Sequence, residues 1–488
     1  MAMTTKDKNK FVDFMGFAPD VDQETPGACQ TMDGVMPTSK GWRAMPTLYR
    51  AQQHLGTLSL ATVPSQMFQS RTGHTFLKLG NQIMRVGYMD AGATISSANT
   101  ATNGLSVHTD FPEAFLDFGL YALMASPYHT IASLTGQVFT AVPGGPGGIM
   151  LMVSASRFVV GFDAGWTWRC SARDTHLSWT PSPATLSAFG ELPGQPDDLN
   201  RTAVAFGDDI LLFKGASVYR GRFEPGNAEV WNFEREPVDV SAMFMNVSRP
   251  YKQGVVVLAD DGLYYYDGAA LDNLMDARMA RWFAQRVVLT TYLNRVVVDT
   301  ARDLIWISAL LYDSDEVTTY SRRTLVCDPR TKRWAFWNGE TLGNIDEGAV
   351  FAPGHWSGLR YSLRSNLRTV WGIPNTGDYV PRELRANATA ASAAQIVTND
   401  FGHAFVDSEL TRAAVKFTRK PTGTQPIVAD IARNALDNTA TTTASIARAD
   451  DGLFDVRRNA RWHRLKFDIY GDFEATGFTV DLEATGRR

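Results

Sequence analysis

Paired carboxylates are the side chains in this sequence best placed to do chemistry. Two acids on one surface can divide general-acid and general-base work on a glycosidic bond, or share a calcium ion. Three groups stand out: Asp208-Asp209, Asp260-Asp261 and the run Asp313-Ser314-Asp315-Glu316. Each falls between two runs of β-forming residues, where aspartate is favoured because it hydrogen-bonds its own turn, and none has the twelve-residue spacing of a calcium loop. The turn reading therefore outweighs the catalytic one. The eight histidines are scattered from His54 to His463, none with a second histidine within a helical turn, so a metal centre would need distant residues to converge. Cys29, Cys170 and Cys327 lie far apart without C-x-x-C spacing, which suggests isolated reduced thiols rather than a disulfide framework or a zinc site.

Phosphate-binding and nucleophile motifs do not appear: there is no G-x-x-x-x-G-K-[ST], no H-E-x-x-H and no G-x-S-x-G. The run Gly144-Gly145-Pro146-Gly147-Gly148 is glycine-rich, but Pro146 removes a backbone N–H that a phosphate cradle uses, so a turn is the better reading. Two aromatic clusters, Trp166, Trp168 and Trp179, then Trp334, Phe336 and Trp337, could stack sugars or bases. Rings of this kind more often fill the wedge between neighbouring sheets. The expectation is a chain without catalytic, cofactor-binding or metal-binding residues, and not an enzyme.

The elements that must position these groups read as β. Ala203–Phe206 leads into Gly207-Asp208-Asp209 and Ile210–Phe213 leaves it, the signature of a hairpin. The plan repeats in Gly254–Leu258 with Leu263–Tyr266, in Arg295–Val298 with Leu304–Ser308, and in Thr324–Cys327 with Arg333–Trp337. Consecutive short hairpins with chemically similar turns argue for radial repetition of small sheets, which covers many strand edges without one oversized sheet. The fold class is therefore mainly β: a β-propeller of short antiparallel blades with one inserted helix, plus a smaller C-terminal β region. The degenerate repeat does not fix the number of blades. The helix is predicted over 270–285, with Leu271, Leu274, Met275, Met279 and Trp282 on one face and Met279 and Trp282 buried.

Residues 1–46 show little apolar periodicity and many turn formers, so they are expected to form an extended N-terminal arm that packs across a surface. The propeller is expected over 47–385. After Pro374 the composition shifts; the Ala-, Thr- and Ser-rich stretches 386–394 and 438–445 read as loops, and Leu465, Phe467 and Ile469 alternate with Lys466 and Asp468 as in a half-buried strand. Residues 386–488 are expected to form a small β domain or to return and close the propeller. No stretch is apolar enough to span a bilayer, and Met1–Asn9 lacks the apolar run of a signal peptide, so synthesis in a cytoplasm is expected. A net charge of −4 argues against a protein that grips nucleic acid by neutralising phosphates.

Several segments taken together resemble the packaged-DNA stabilisation proteins, the tail nozzle or hub proteins of short-tailed bacteriophages. They are Trp168-Arg169-Cys170-Ser171-Ala172-Arg173, Leu177–Thr185, Phe206-Gly207-Asp208 and Lys214–Gly221, followed by Met275–Val287, Val296–Asp299, Leu325–Trp334 and the ending from Ala460 onward. The resemblance spans about residues 160–488 and concerns structural motifs. It implies a virion tail component made in the host cytoplasm, a homo-hexameric ring below the portal-adaptor ring, with tail fibres or spikes as further neighbours. Such a ring extends the DNA channel, helps retain the packaged genome and lets it pass without sequence-specific binding. The alternative, from a different class, is a carbohydrate-binding or polysaccharide-degrading propeller that recognises a host surface.

Overall fold

The computed structural model describes residues 6–486 except 47, 51–64, 73, 87–100, 193, 195–197, 228, 290, 314–318, 338–341, 350–367, 375–381, 385–393, 403–405, 424–425, 434–439, 443–445 and 448–452. Short antiparallel sheets follow one another along the chain. Blade 1 holds Gln66–Gln69, Thr75–Leu79 and Gln82–Val86; blade 2 runs from Ala114–Phe118 to Val138–Ala141, and blade 3 from Leu151–Ala155 to Ala188–Glu191. Blade 4 runs from Asn200–Phe206 to Trp231–Arg235, blade 5 from Ser248–Tyr251 to Leu271–Asn273, and blade 6 from Arg295–Asp299 to Arg333–Trp337. Blade 7 combines Leu342–Ala349, Arg368–Pro374 and Arg382–Leu384 with Leu48–Arg50, which supplies its fourth strand.

From blade 2 to blade 7 the first strands of successive blades lie side by side, and that of blade 7 returns to that of blade 1. Gln66 and Glu113 join blades 1 and 2 through two side-chain to backbone bonds. The ring is therefore closed, a β-propeller with seven blades among the described residues. All four hairpins read from the sequence are present, with Phe206 opposite Asp209, Ala259 opposite Gly262, Asp299 opposite Leu304 and Asp328 opposite Arg333. Gly207 holds a positive φ of 62°, the backbone state that a two-residue hairpin turn requires and that glycine adopts without strain.

Two further sheets pack face to face beside blade 6. One contains Phe454–Ala460, Asp407–Arg419, Glu474–Gly486, Gly41–Ala44 and Val35–Thr38, with Lys6–Asp13 also paired to Glu474–Gly486. The other runs Ala28–Asp33, Ala394–Thr398, Trp462–Ile469 and Ile427–Arg433, and it joins the outer strand of blade 6 where Phe336 pairs with Asp33. Their inner faces meet in Phe14, Phe467, Phe478, Leu410 and Val480. Leu465, Phe467 and Ile469 point into this core.

The N-terminal segment corrects the reading of an extended arm. Phe14, Met32 and Trp42 are fully buried in the same core, and Trp42 Nε1 donates to the Phe14 carbonyl at 2.9 Å. Their apolar side chains show no period because the strands are short, and Lys6–Asp13 and Ala28–Asp33 pair with residues more than 300 positions away. The helix covers Asp276–Arg286, shorter than predicted, and Leu271 belongs to a strand. Met279 and Phe283 are buried on it, whereas Trp282 is half-buried, edge-on to Phe17 and Phe336 with ring centroids 5.0 and 5.7 Å away. The Trp282 expectation therefore holds only in part, and Phe283 is the deeper anchor.

Candidate functional site

The acids singled out in the sequence sit in three different blades, and one of each group is occupied locally. Asp209 accepts a bond from Arg220 Nε at 2.7 Å, Asp261 accepts one from the Tyr264 hydroxyl at 2.7 Å, and Asp313 pairs with Arg323 at 3.4 Å. Asp315 and Glu316 lie outside the described residues. Gly144 and Gly148 have positive φ, and Gly145 donates to the Val142 carbonyl, as in a turn. Trp168, Trp179, Trp334, Phe336 and Trp337 are buried between sheets, while Trp166 is 43% exposed. Cys29, Cys170 and Cys327 are buried free thiols; burial pushes Cys170 up to about 12 and raises Cys29 and Cys327 as well.

A different group converges at one end of the propeller. Each inner strand enters its blade from the same face, so the residues just before these strands collect around the axis. Phe111 precedes blade 2, Arg201 opens blade 4, Phe244 precedes blade 5 and Tyr292 precedes blade 6. The Phe111 and Tyr292 rings lie 4.9 Å apart, Tyr292 and Phe244 5.4 Å, and the Arg201 guanidinium sits 3.6 Å over the Phe244 ring. Blades 2 and 6 are not neighbours in the ring, so the Phe111–Tyr292 contact spans the axis and closes this mouth with side chains. At its rim, Tyr128 is 49% exposed, stacks on His108 at 4.3 Å and meets Phe111 at 5.8 Å.

Buried charges hold the segment that carries Phe111. Lys78 Nζ donates to the carbonyls of His108 and Gly80. Glu113 is held at its backbone by Gln66, whose Nε2 donates to the Glu113 carbonyl at 2.7 Å and whose Oε1 accepts the Glu113 N–H at 3.0 Å. The Glu113 carboxylate accepts from His129 Nε2 at 2.9 Å, while His129 Nδ1 lies 2.7 Å from the Thr130 carbonyl. Burial alone would lower the His129 pKa; the bonds to Glu113 and Thr130 and the charge of Glu113 outweigh it, so the net shift is upward. For Lys78 burial wins and the pKa falls, against the opposing pull of Glu113 and Asp110. Nearby, Arg295 donates to the Ser65 carbonyl, and burial together with the Arg295 charge lowers Arg322 to about 10.

Sequence reasoning missed this cluster because its members are far apart in the chain. One signal was present: Phe111, Phe244 and Tyr292 each lie just before the first strand of a blade. That recurrence is visible only once the strands are in register.

No family model and no curated protein matches the chain. Solved structures with some likeness include the extracellular domain of a hybrid two-component system from B. thetaiotaomicron, at 11% identity and TM-score 0.37, over 80% of this chain and 47% of that one. The chain thus spans just under half the length of that protein. BamB from Moraxella catarrhalis is similar at 10% identity and TM-score 0.32, over 70% of this chain and 97% of that one. A glycoside hydrolase family 43 arabinoxylan arabinofuranohydrolase from Bacillus subtilis gives 10% identity and TM-score 0.22, over 89% and 96%. Likeness at this level says nothing about activity.

Proposed function

We propose that this chain is a non-enzymatic structural subunit of a short-tailed phage virion, a nozzle or hub ring that extends the DNA channel below the portal-adaptor. The reading is supported by the ordered segments of residues 160–488 that resemble the packaged-DNA stabilisation proteins. From the structure, the observation that favours it most is the closed mouth: Phe111, Tyr292 and Phe244 pack across the axis, as suits a rigid building block. A duplex would then run through a passage enclosed by several copies, a homo-hexamer in this reading, and would be retained by confinement rather than by affinity. Electron microscopy of particles carrying this chain tests the proposal. A ring on the tail axis supports it; a location on peripheral fibres, or none on the particle, overturns it.

The second reading, a propeller that binds surface carbohydrate, is favoured by the exposed Tyr128 stacked on His108 at the rim, since an exposed ring offers a sugar a stacking face. Binding and turnover assays on bacterial surface polysaccharides separate the two. Saturable binding that is lost in Tyr128→Ala supports the second.

A further inference from the structure

We propose that the propeller mouth is a pH-sensitive closure, in which a His129–Glu113 ion pair fixes residues 107–113 so that Phe111 seals against Tyr292 across the axis. The inference does not depend on the tail reading; it rests on the geometry of the cluster. Both imidazole nitrogens of His129 face acceptors, the Glu113 carboxylate and the Thr130 carbonyl. A neutral imidazole has one N–H and can satisfy only one of them, whereas the imidazolium satisfies both. His129 and Glu113 are both buried, so water cannot replace the bond that a lost proton would break.

Among the described residues, the charged and titratable groups around His129 are few. Glu113 stabilises the imidazolium, and Lys78 from blade 1 opposes it. Asp110 acts on Lys78 from the same segment as Glu113, and His108, stacked on Tyr128, completes the set. The turn that carries His129 also carries Tyr128, which meets the Phe111 ring, so one turn grips the segment at both its ring and its carboxylate. The raised pKa of His129 gives the sign. A group whose folded pKa exceeds its unfolded value of about 6.5 contributes fully below that value, and its contribution is lost as the pH rises through the folded pKa. The closure is therefore tight in mild acid and looser in mild alkali.

Hydrogen exchange of the 107–113 backbone in the full-length protein, corrected for intrinsic rates, tests this. Between about pH 6 and about pH 9, protection of this segment is expected to fall about tenfold per pKa unit by which His129 is raised. Protection of the buried strand Gly254–Ala259 should not follow it. In His129→Gln, which keeps a hydrogen-bonding group but cannot titrate, the fall disappears. Glu113→Gln removes the charge partner instead and should abolish it too, which keeps the test open if either variant folds poorly. Protection that is equal at both pH values in the parent protein, or a fall that persists unchanged in the substituted proteins, overturns the proposal.

Discussion

Aspartates repeatedly close the turns of this molecule. Asp163 accepts the N–H groups of Gly165 and Thr167, Asp267 those of Ala269 and Ala270, and Asp299 those of Ala301 and Arg302. A short acceptor at a strand end satisfies amides that the sheet leaves unpaired, whereas the acids singled out in the sequence, Asp209, Asp261 and Asp313, are held by side chains. Asp299 is fully buried and also holds Arg302 at 2.7 Å, so Asp299→Ala should cost about 1–3 kcal/mol by leaving those donors without their acceptor. Exposed Asp208, by contrast, should tolerate alanine within about 0.5 kcal/mol. Urea unfolding of the two variants compares them directly, and equal losses would contradict this account. Gly221 makes a second point at this scale. A Cβ there would sit 2.4 Å from the Phe233 ring of the paired strand, so Gly221→Ala should destabilise by about 1–3 kcal/mol through overpacking. A thermal melt at the parent temperature would show that the ring can move aside.

The hairpins were readable because their information is local: a turn residue with the right backbone freedom and two short runs of β-formers lie within some fifteen positions of each other. The helix was readable only in part. Asn273 Oδ1 accepts the N–H groups of Met275 and Asp276, which ends the strand and starts the helix there, a contact that the apolar spacing of Leu271 and Leu274 does not encode. That later start turns Phe283 inward and leaves Trp282 on the flank. Phe283→Ala should accordingly cost about 3–5 kcal/mol, and Trp282→Ala less, as read by chemical denaturation. The N-terminal strands were illegible for the opposite reason: Lys6–Asp13 and Ala28–Asp33 pair with residues 474–486 and 394–398, at the far end of the chain. Deleting residues 1–46 removes Phe14, Met32 and Trp42, and each such core side chain is worth about 2–5 kcal/mol against a total stability of about 5–15 kcal/mol. The truncated protein is expected to be insoluble or to lose cooperative unfolding, and a soluble product with the parent melting temperature would refute this role. The mouth cluster lay beyond sequence reading for the same reason, since Phe111 and Tyr292 meet only when the ring closes.

At the scale of the whole molecule, closure comes from the N-terminal side: Leu48–Arg50 completes blade 7, and the residues just before it build the second domain. The propeller and the paired sheets are joined through this segment. Such an architecture suits the proposed role of shaping a passage without binding what moves through it. Its charge agrees with that role. With 47 basic and 51 acidic residues the chain is net acidic, and many arginines are committed to internal pairs such as Arg220–Asp209 and Arg302–Asp299. Affinity for duplex DNA grows with the number of phosphates neutralised, and each contact adds to the salt slope of binding, so a net acidic chain with arginines tied up in such pairs is expected to have neither strong affinity nor a steep slope. Fluorescence titration of the free protein with duplex DNA near physiological salt should accordingly show weak or no binding. Lowering the salt should recover little, because the term that salt screens is small from the start. Tight binding with a steep salt dependence would mean that a basic surface is concentrated on one face, and the proposed confinement without affinity would then be wrong.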